Sequence, residues 1–268
     1  METDTASTGQ VTKSAAEIYD EFFVPALFGA WAAPLCDAAA VAKGQAVLDV
    51  ACGTGATTRT AAERVGAHGR VVGLDRNSGM LSVAKARAPQ VEWVEALAAD
   101  IPIADGAFDV VLCQFGLMFF EDRSNALSEM RRVLCPGGRI ALSVWDDAIN
   151  SPGYAGMIDL IAEMFGKDAA DALRAPFILG DRNALEDVLT RGGCRDAVVT
   201  TQTGTARFAS IREWVRMDVK GWTLTDMIDD DGYEALVAAA EQRFASFAAP
   251  DGSIAFPAPA HIAVIDIN

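Results

Sequence analysis

Four polar side chains stand at the ends of successive apolar runs, and their spacing sets the chemistry open to this chain. Asp49 sits in Val47-Leu-Asp-Val50, which opens onto Gly53-Thr-Gly55. Asp75 closes Arg70-Val-Val-Gly-Leu-Asp75; Asp100 follows Val91-Glu-Trp-Val-Glu95; Gln114 follows Phe108-Asp-Val-Val-Leu-Cys113. Gly53 and Gly55 let the backbone turn sharply and approach a ligand. The helix that Thr57 and Thr58 then open presents free N–H groups and a partial positive charge, a seat for an anionic group. Asp49 at the mouth of that turn suits a ligand that also carries an ammonium group. Asp75, about 20 residues after the turn, offers two acceptors to a vicinal diol such as a ribose. Asp100 beside the apolar Ile101-Pro-Ile103 suits a purine whose exocyclic amine donates a hydrogen bond. Each signal is weak alone. The ordered series is specific, because ligands of open α/β sheets bind at the carboxyl ends of the strands.

The elements that must hold these residues alternate. Strands are expected at 47–50, 70–75, 91–95, 108–113 and 139–145, with helices at 57–66, 78–88 and 122–134 between them, the last ending at Pro136-Gly137-Gly138. Such alternation implies βαβ units and a mostly parallel sheet. Upstream, Ser14 to Ala42 is helical in pattern, and Pro25 and Pro34 are expected to break it into short helices. Downstream, helices are expected at 157–165, 181–191, 210–220 and 232–247, a long strand at 196–208 and a closing strand at 261–267.

Composition excludes several classes. The net charge of −15, from 37 acidic against 22 basic residues, argues against nucleic acid and against an anionic membrane surface. No apolar run approaches the ~20 residues of a membrane span, and the polar, acidic start is unlike a signal peptide. The five cysteines lack any C-x-x-C pair, and free thiols in a reducing cytoplasm account for them.

Taken together, Val47-Leu-Asp-Val-Ala-Cys-Gly-Thr-Gly55, Val72-Gly-Leu-Asp75 with Ser78-Gly-Met-Leu81, Ala99-Asp-Ile-Pro102, Phe108-Asp-Val-Val111 and Arg132-Val-Leu-Cys-Pro-Gly-Gly-Arg139 resemble class I S-adenosylmethionine-dependent methyltransferases. The similarity is greatest to the ubiquinone/menaquinone-biosynthesis-like (type 11) branch and is dense over residues 17–145. It implies a Rossmann-like seven-stranded, mostly parallel sheet with an antiparallel last strand, strand six at 196–208 and strand seven at 258–267. It also implies a domain plan: a disordered tail at 1–12, an N-terminal helical cap segment at 13–44, a cofactor-binding domain at 45–208 and 253–268, and a helical cap insertion at 209–252. The implied cofactor is S-adenosylmethionine. Asp49, Ala51, Gly53 and Gly55 would hold its amino-acid end, Asp75 the ribose, Arg76 and Met80 the flanks of the adenine, Asp100 and Ile101 the adenine edge, and Gln114 and Phe115 the sulfonium side. The implied reaction is in-line methyl transfer to a small, apolar or aromatic acceptor, by a cytoplasmic monomer or homodimer.

Further residues have two readings each. His261 titrates near neutral pH and is the candidate general base; a hydrogen-bonded structural role competes. His68 reads as a solvated turn residue, Cys52 as small packing, and Asp229-Asp-Asp231 as a helix-linking turn rather than a metal site. Tyr19, Met118, Trp214, Met217 and Trp222 are candidates for the acceptor wall or for core. Two other functions remain open: a nicotinamide-dependent oxidoreductase, against which Thr58 at the third glycine position speaks, and a non-methylating binder of the same cofactor.

Overall fold

A computed structural model describes residues 13–220 and 224–267. The expected tail at 1–12 and Trp222 lie outside the described residues. The first strands are β1 (Ala46–Val50), β2 (Arg70–Asp75), β3 (Glu92–Glu95), β4 (Phe108–Gln114) and β5 (Leu134–Trp145). They form a sheet with β6 (Val198–Gln202) and β9 (Ala260–Asp266) in the order β3-β2-β1-β4-β5-β9-β6. Pairs β1–β2, β1–β4, β2–β3 and β4–β5 are parallel, and β9 runs antiparallel to both β5 and β6. Val47, Leu48, Val50, Val72, Val111, Ile140 and Leu142 have no exposed surface, as expected of strands covered on both faces. The chain order reverses between β1 and β4, which makes their carboxyl ends the crevice of the sheet.

Helices α3 (Ala56–Val65), α4 (Ser78–Arg87) and α5 (Arg123–Arg132) connect the parallel strands. Asn77 and Asp122 cap the last two by accepting the N–H groups of Met80 and Asn125. Pro136-Gly137-Gly138 does not merely end a helix; it lies inside β5, where the pairing jumps from Phe108↔Leu134 to Val110↔Arg139 and the extra residues bulge out.

Two expectations need correction. The prolines do not break the N-terminal run. Helix α1 (Lys13–Ile18) passes into wide π-type turns over Tyr19–Phe28, which contain Pro25, and then into α2 (Gly29–Ala38), which contains Pro34. Burial of Phe23, Leu27, Trp31, Leu35 and Cys36 against the sheet outweighs the ~3 kcal/mol a helical proline costs. The strand expected at 196–208 is two strands. It parts at Gly204, where a β-carbon would stand 2.3 Å from the Trp31 ring. Beyond it β7 (Thr205–Phe208) leaves the main sheet and pairs antiparallel with β8 (Ile254–Pro257).

This two-stranded ribbon carries the helices α9 (Ile211–Lys220) and α10 (Asp230–Arg243). The helical layer is larger than residues 209–252, because α6 (Pro152–Phe165) packs against α10 and is followed by α7 (Lys167–Arg174). Its centre is a cluster of rings. Trp214 lies 4.7 Å from Phe256, 5.1 Å from Phe244 and 5.8 Å from Tyr154, centroid to centroid. Helix α8 (Arg182–Arg191), capped by Asp181, precedes β6.

Candidate functional site

At the end of β1 the backbone takes a run of left-handed conformations: Ala51 has φ 56°, Gly53 54° and Gly55 82°. Ala51 is strained there, whereas glycine adopts the region freely. The turn delivers the chain into α3 with Gly55 at its N-cap. Space above it is already filled, since a β-carbon on Gly55 or on Gly73 would stand 2.4 Å from the indole of Trp93. Trp93, anchored by its Nε1–H to the Ala88 carbonyl at 3.0 Å, is thus the second half of the glycine turn. Its place in an alternating strand gave no sign of this.

A small cavity of about 30 Å³ opens at this point between β1 and β4. Asp49, Ala51, Cys52, Gly53 and Thr54 form its floor, Ala56 and Thr57 the helix side, Gln114 the β4 side, and Tyr19, Val24 and Phe28 its roof. The sequence therefore named Asp49, Ala51, Gly53, Gln114 and Tyr19 of this wall. It did not name Val24 and Phe28, which the unbroken N-terminal helical run brings over the strand ends.

Asp49 is 1% exposed. Thr58 Oγ1 donates to its Oδ2 at 2.6 Å, while Oδ1 has no partner among the described residues. Burial pushes its carboxyl up to about 7, the Thr58 hydrogen bond opposing and the nearby Asp75 adding to the rise. Thr58, read in the sequence as opening the helix and as standing at the third glycine position, is the hydrogen-bond partner of Asp49. Gln114 donates from Nε2 to the Phe28 carbonyl at 3.0 Å and leaves Oε1 buried and unpartnered; Thr54 Oγ1 is likewise unpartnered. Asp75 accepts the Gly53 N–H at 2.8 Å on one oxygen and the Asn77 N–H at 2.9 Å on the other. Burial raises this carboxyl too, with the backbone N–H groups of Asn77, Gly53 and Arg76 opposing the rise.

Behind Phe28, and not themselves lining the cavity, Phe115 (φ 53°) and Trp145 stack at 3.9 Å and 12°, and Phe28 and Trp31 meet Phe115 at 5.7 and 5.8 Å. Tyr19 stacks on Phe28 at 5.2 Å. Met80 and Met118 are buried, Asp100 is exposed and Ile101 is 2% exposed. Arg76 lies 3.8 Å from Glu121.

Other candidates lie elsewhere. His261 pairs with Val144 in the sheet while its neighbour Ala260 pairs with Trp145, so the histidine faces away from the Trp145 side. Its Nδ1 meets Thr201 Oγ1 at 2.9 Å, and its Nε2 meets the Gly180 carbonyl at 2.9 Å and Asp146 at 3.3 Å. Both ring nitrogens are engaged, and the structure does not bring His261 to the cavity. Trp214 and Met217, 0% and 2% exposed, form the interior of the helical layer rather than the cavity wall. His68 ends an exposed turn and Asp229 caps α10, whereas Cys52, on the cavity floor, packs beside Gly73 with its thiol raised by burial.

Residues 48–142 match the family model of a methyltransferase domain. The demethylmenaquinone methyltransferase of Staphylococcus epidermidis is 32% identical over 177 residues, 61% of this chain and 73% of that protein. The 2-phytyl-1,4-naphtoquinone methyltransferase of Thermosynechococcus vestitus is 39% identical over 133 residues, 47% of this chain and 59% of that protein. Among solved structures, the phosphoethanolamine N-methyltransferase 2 of Haemonchus contortus, in complex with S-adenosyl-L-methionine, has a TM-score of 0.61 at 18% identity. That match covers 99% of this chain and 60% of the other, and it is a likeness of fold.

Proposed function

Since this chain belongs to the S-adenosylmethionine-dependent methyltransferases of the ubiquinone/menaquinone-biosynthesis type, we propose that it methylates a small aromatic acceptor of quinone or quinol character. One observation supports the cofactor most. At the switch point of the sheet, beside a left-handed glycine turn, Asp49 is buried with one oxygen unpartnered. A lone buried carboxylate is costly. An ammonium group of the cofactor would offset that cost, and the unpartnered Gln114 Oε1 and Thr54 Oγ1 fit further donors and acceptors there.

Asp49, Ala51, Gly53 and Gly55 would hold the amino-acid end of S-adenosylmethionine, and Asp75 the ribose diol. Asp100, Ile101, Arg76 and Met80 would frame the adenine, with Gln114 and Phe115 toward the sulfonium. When bound, the cofactor supplies an electrophilic methyl group. The protein's own work is then to orient a nucleophile, which is worth several orders of magnitude in rate, and to keep water out. Tyr19, Val24 and Phe28 roof the cavity. The rings of Phe28, Phe115, Trp31 and Trp145 favour a flat apolar acceptor. Met118 belongs to the same neighbourhood. Helices α9 and α10 act as the cap, within residues 209–252, with Trp214 and Met217 in its core and α6 packed against α10. The names of the two bacterial relatives support a naphthoquinone-like ring.

A nicotinamide reading is not favoured, because Thr58 occupies the third glycine position and its hydroxyl is committed to Asp49. We place the protein in the cytoplasm as a monomer or homodimer without nucleic-acid partners, on its charge of −15 and its free, mostly buried cysteines. Among the described residues no helix is long and apolar enough to cross a membrane. Calorimetric titration with S-adenosylmethionine and its demethylated product tests the site, and micromolar binding is expected. Tight binding without methylation of any quinol in a broad panel would support a non-methylating binder instead.

A further inference from the structure

The segment joining β3 to β4 carries Asp100 and Ile101, yet it has no regular structure of its own. Two side chains of α5 determine its shape. Glu129 accepts the Ile101 N–H at 2.9 Å. Arg132 donates to the Ile101 carbonyl at 2.8 Å and to the Ile103 carbonyl at 2.8 Å. The two side chains are joined to each other by a two-pronged ion pair, Nε to Oε1 at 2.7 Å and Nη2 to Oε2 at 2.8 Å. Arg132 also reaches Asp105 at 2.7 Å, and Asn125, from the same helix, donates to the Ala99 carbonyl at 2.7 Å. Both backbone polar groups of Ile101 are thus held by one ion pair, and the residues on either side of Asp100 are tied to α5.

We propose that Glu129 and Arg132 are positioning residues that set the purine end of the cofactor site, an assignment that rests on the reading of that site given above. Neither side chain lines the cavity. The arginine and glutamate side chains are 30% and 18% exposed, so part of the Coulombic gain is screened by water. What the pair does hold is the main chain on each side of Asp100 and Ile101. A planar guanidinium fork matches a carboxylate and two carbonyls at once; a lysine ammonium cannot. The clamp therefore fixes where the Asp100 carboxylate and the Ile101 side chain stand relative to each other, which is the geometry needed to distinguish a 6-amino purine edge from a 6-oxo one.

The test uses E129Q, which keeps the shape and removes the charge, and R132K, which keeps the charge and removes the fork. In the ligand-free protein, exchange of the Ile101 amide hydrogen is expected to quicken at least ~10-fold in each variant, the loss of about one hydrogen bond. In calorimetry, Kd for S-adenosylhomocysteine is expected to rise ~10-fold, while Kd for S-inosylhomocysteine changes less than about twofold. Tm should fall by less than about 4 °C. Equal losses for the two ligands, or unchanged affinities despite faster exchange, would overturn the assignment and leave a purely structural clamp. Failure of the wild-type protein to bind either ligand would overturn the cofactor reading, and the purine role with it. In that case unchanged Ile101 exchange would separately overturn the clamp.

Discussion

Asp49 is expected to make cofactor affinity pH-dependent around neutrality, where an ordinary carboxylate is already fully ionised. Its carboxyl is pushed up to about 7 by burial, so a large part of the ligand-free protein carries a neutral Asp49 at neutral pH. A ligand that brings an ammonium group to Oδ1 binds the ionised form. The ionised fraction is about one-tenth at pH 6 and about nine-tenths at pH 8, so apparent affinity rises roughly tenfold across that interval. Asp49→Asn removes the charge and keeps the Thr58 hydrogen bond. It should weaken binding by about 2 kcal/mol, roughly 30-fold at pH 8, and flatten the profile. Stability should move the other way. The folded state holds a proton that the unfolded state has released, so the ligand-free wild type loses stability as pH rises from about 4 to about 7. The asparagine variant escapes that loss, and its ligand-free Tm should exceed the wild-type value at pH 8. Calorimetry and thermal melts at pH 6, 7 and 8 measure both effects. A flat wild-type affinity profile, or an Asp49→Asn variant that binds as tightly at pH 8, would refute the reasoning.

Three other perturbations have defined outcomes. Gly55→Ala forces an alanine into φ 82° and drives its methyl into Trp93, so stability should drop by about 2 kcal/mol and cofactor affinity should fall with it; a Tm unchanged within 2 °C would contradict the geometry. Asp218 is buried in α9 and raised to about 8, so its protonated form is the folded one, and stability falls from about pH 4 until about pH 8. Asp218→Asn should accordingly stabilise the protein more at pH 7.5 than at pH 5, by about 3 kcal/mol at most, as denaturant melts at the two pH values would reveal. His261→Gln should lower Tm by several degrees through the Thr201 and Gly180 contacts and leave the pH profile of kcat in place. Loss of a kinetic pKa near 6–7 in that variant would instead make the histidine a general base.

The sheet and the floor of the site were legible because each strand end announces itself. Val47-Leu-Asp-Val50 and Phe108-Asp-Val-Val-Leu-Cys113 are β-branched or apolar runs cut off by a polar or glycine residue, and that signal is local. The roof was not legible. Whether Pro25 and Pro34 end a helix depends on how much apolar surface their neighbours bury against a distant sheet, which the local pattern does not contain. The division of 196–208 was hidden for the same reason: Val and Thr continue across the gap, and only Trp31, far away in sequence, requires Gly204 to turn. Thr58 and Trp93 illustrate a third limit. Each takes its role from a partner across the sheet, Asp49 in one case and the glycines at 55 and 73 in the other. His261 was placed correctly on the closing strand but on the face that alternation turns away from the cavity.

The central claim is that this chain moves a methyl group from S-adenosylmethionine to an aromatic ring of quinol type. The most direct measurement is mass spectrometry of reactions containing the protein, cofactor bearing a trideuterated methyl group, and a panel of hydroxynaphthoquinols, benzoquinols, simple phenols and alkylamines. The account predicts a product heavier by one labelled methyl group, confined to the quinol members, and absent or strongly reduced with Asp49→Asn. Label transferred to the alkylamines alone, or to no member while the cofactor binds tightly, would contradict it.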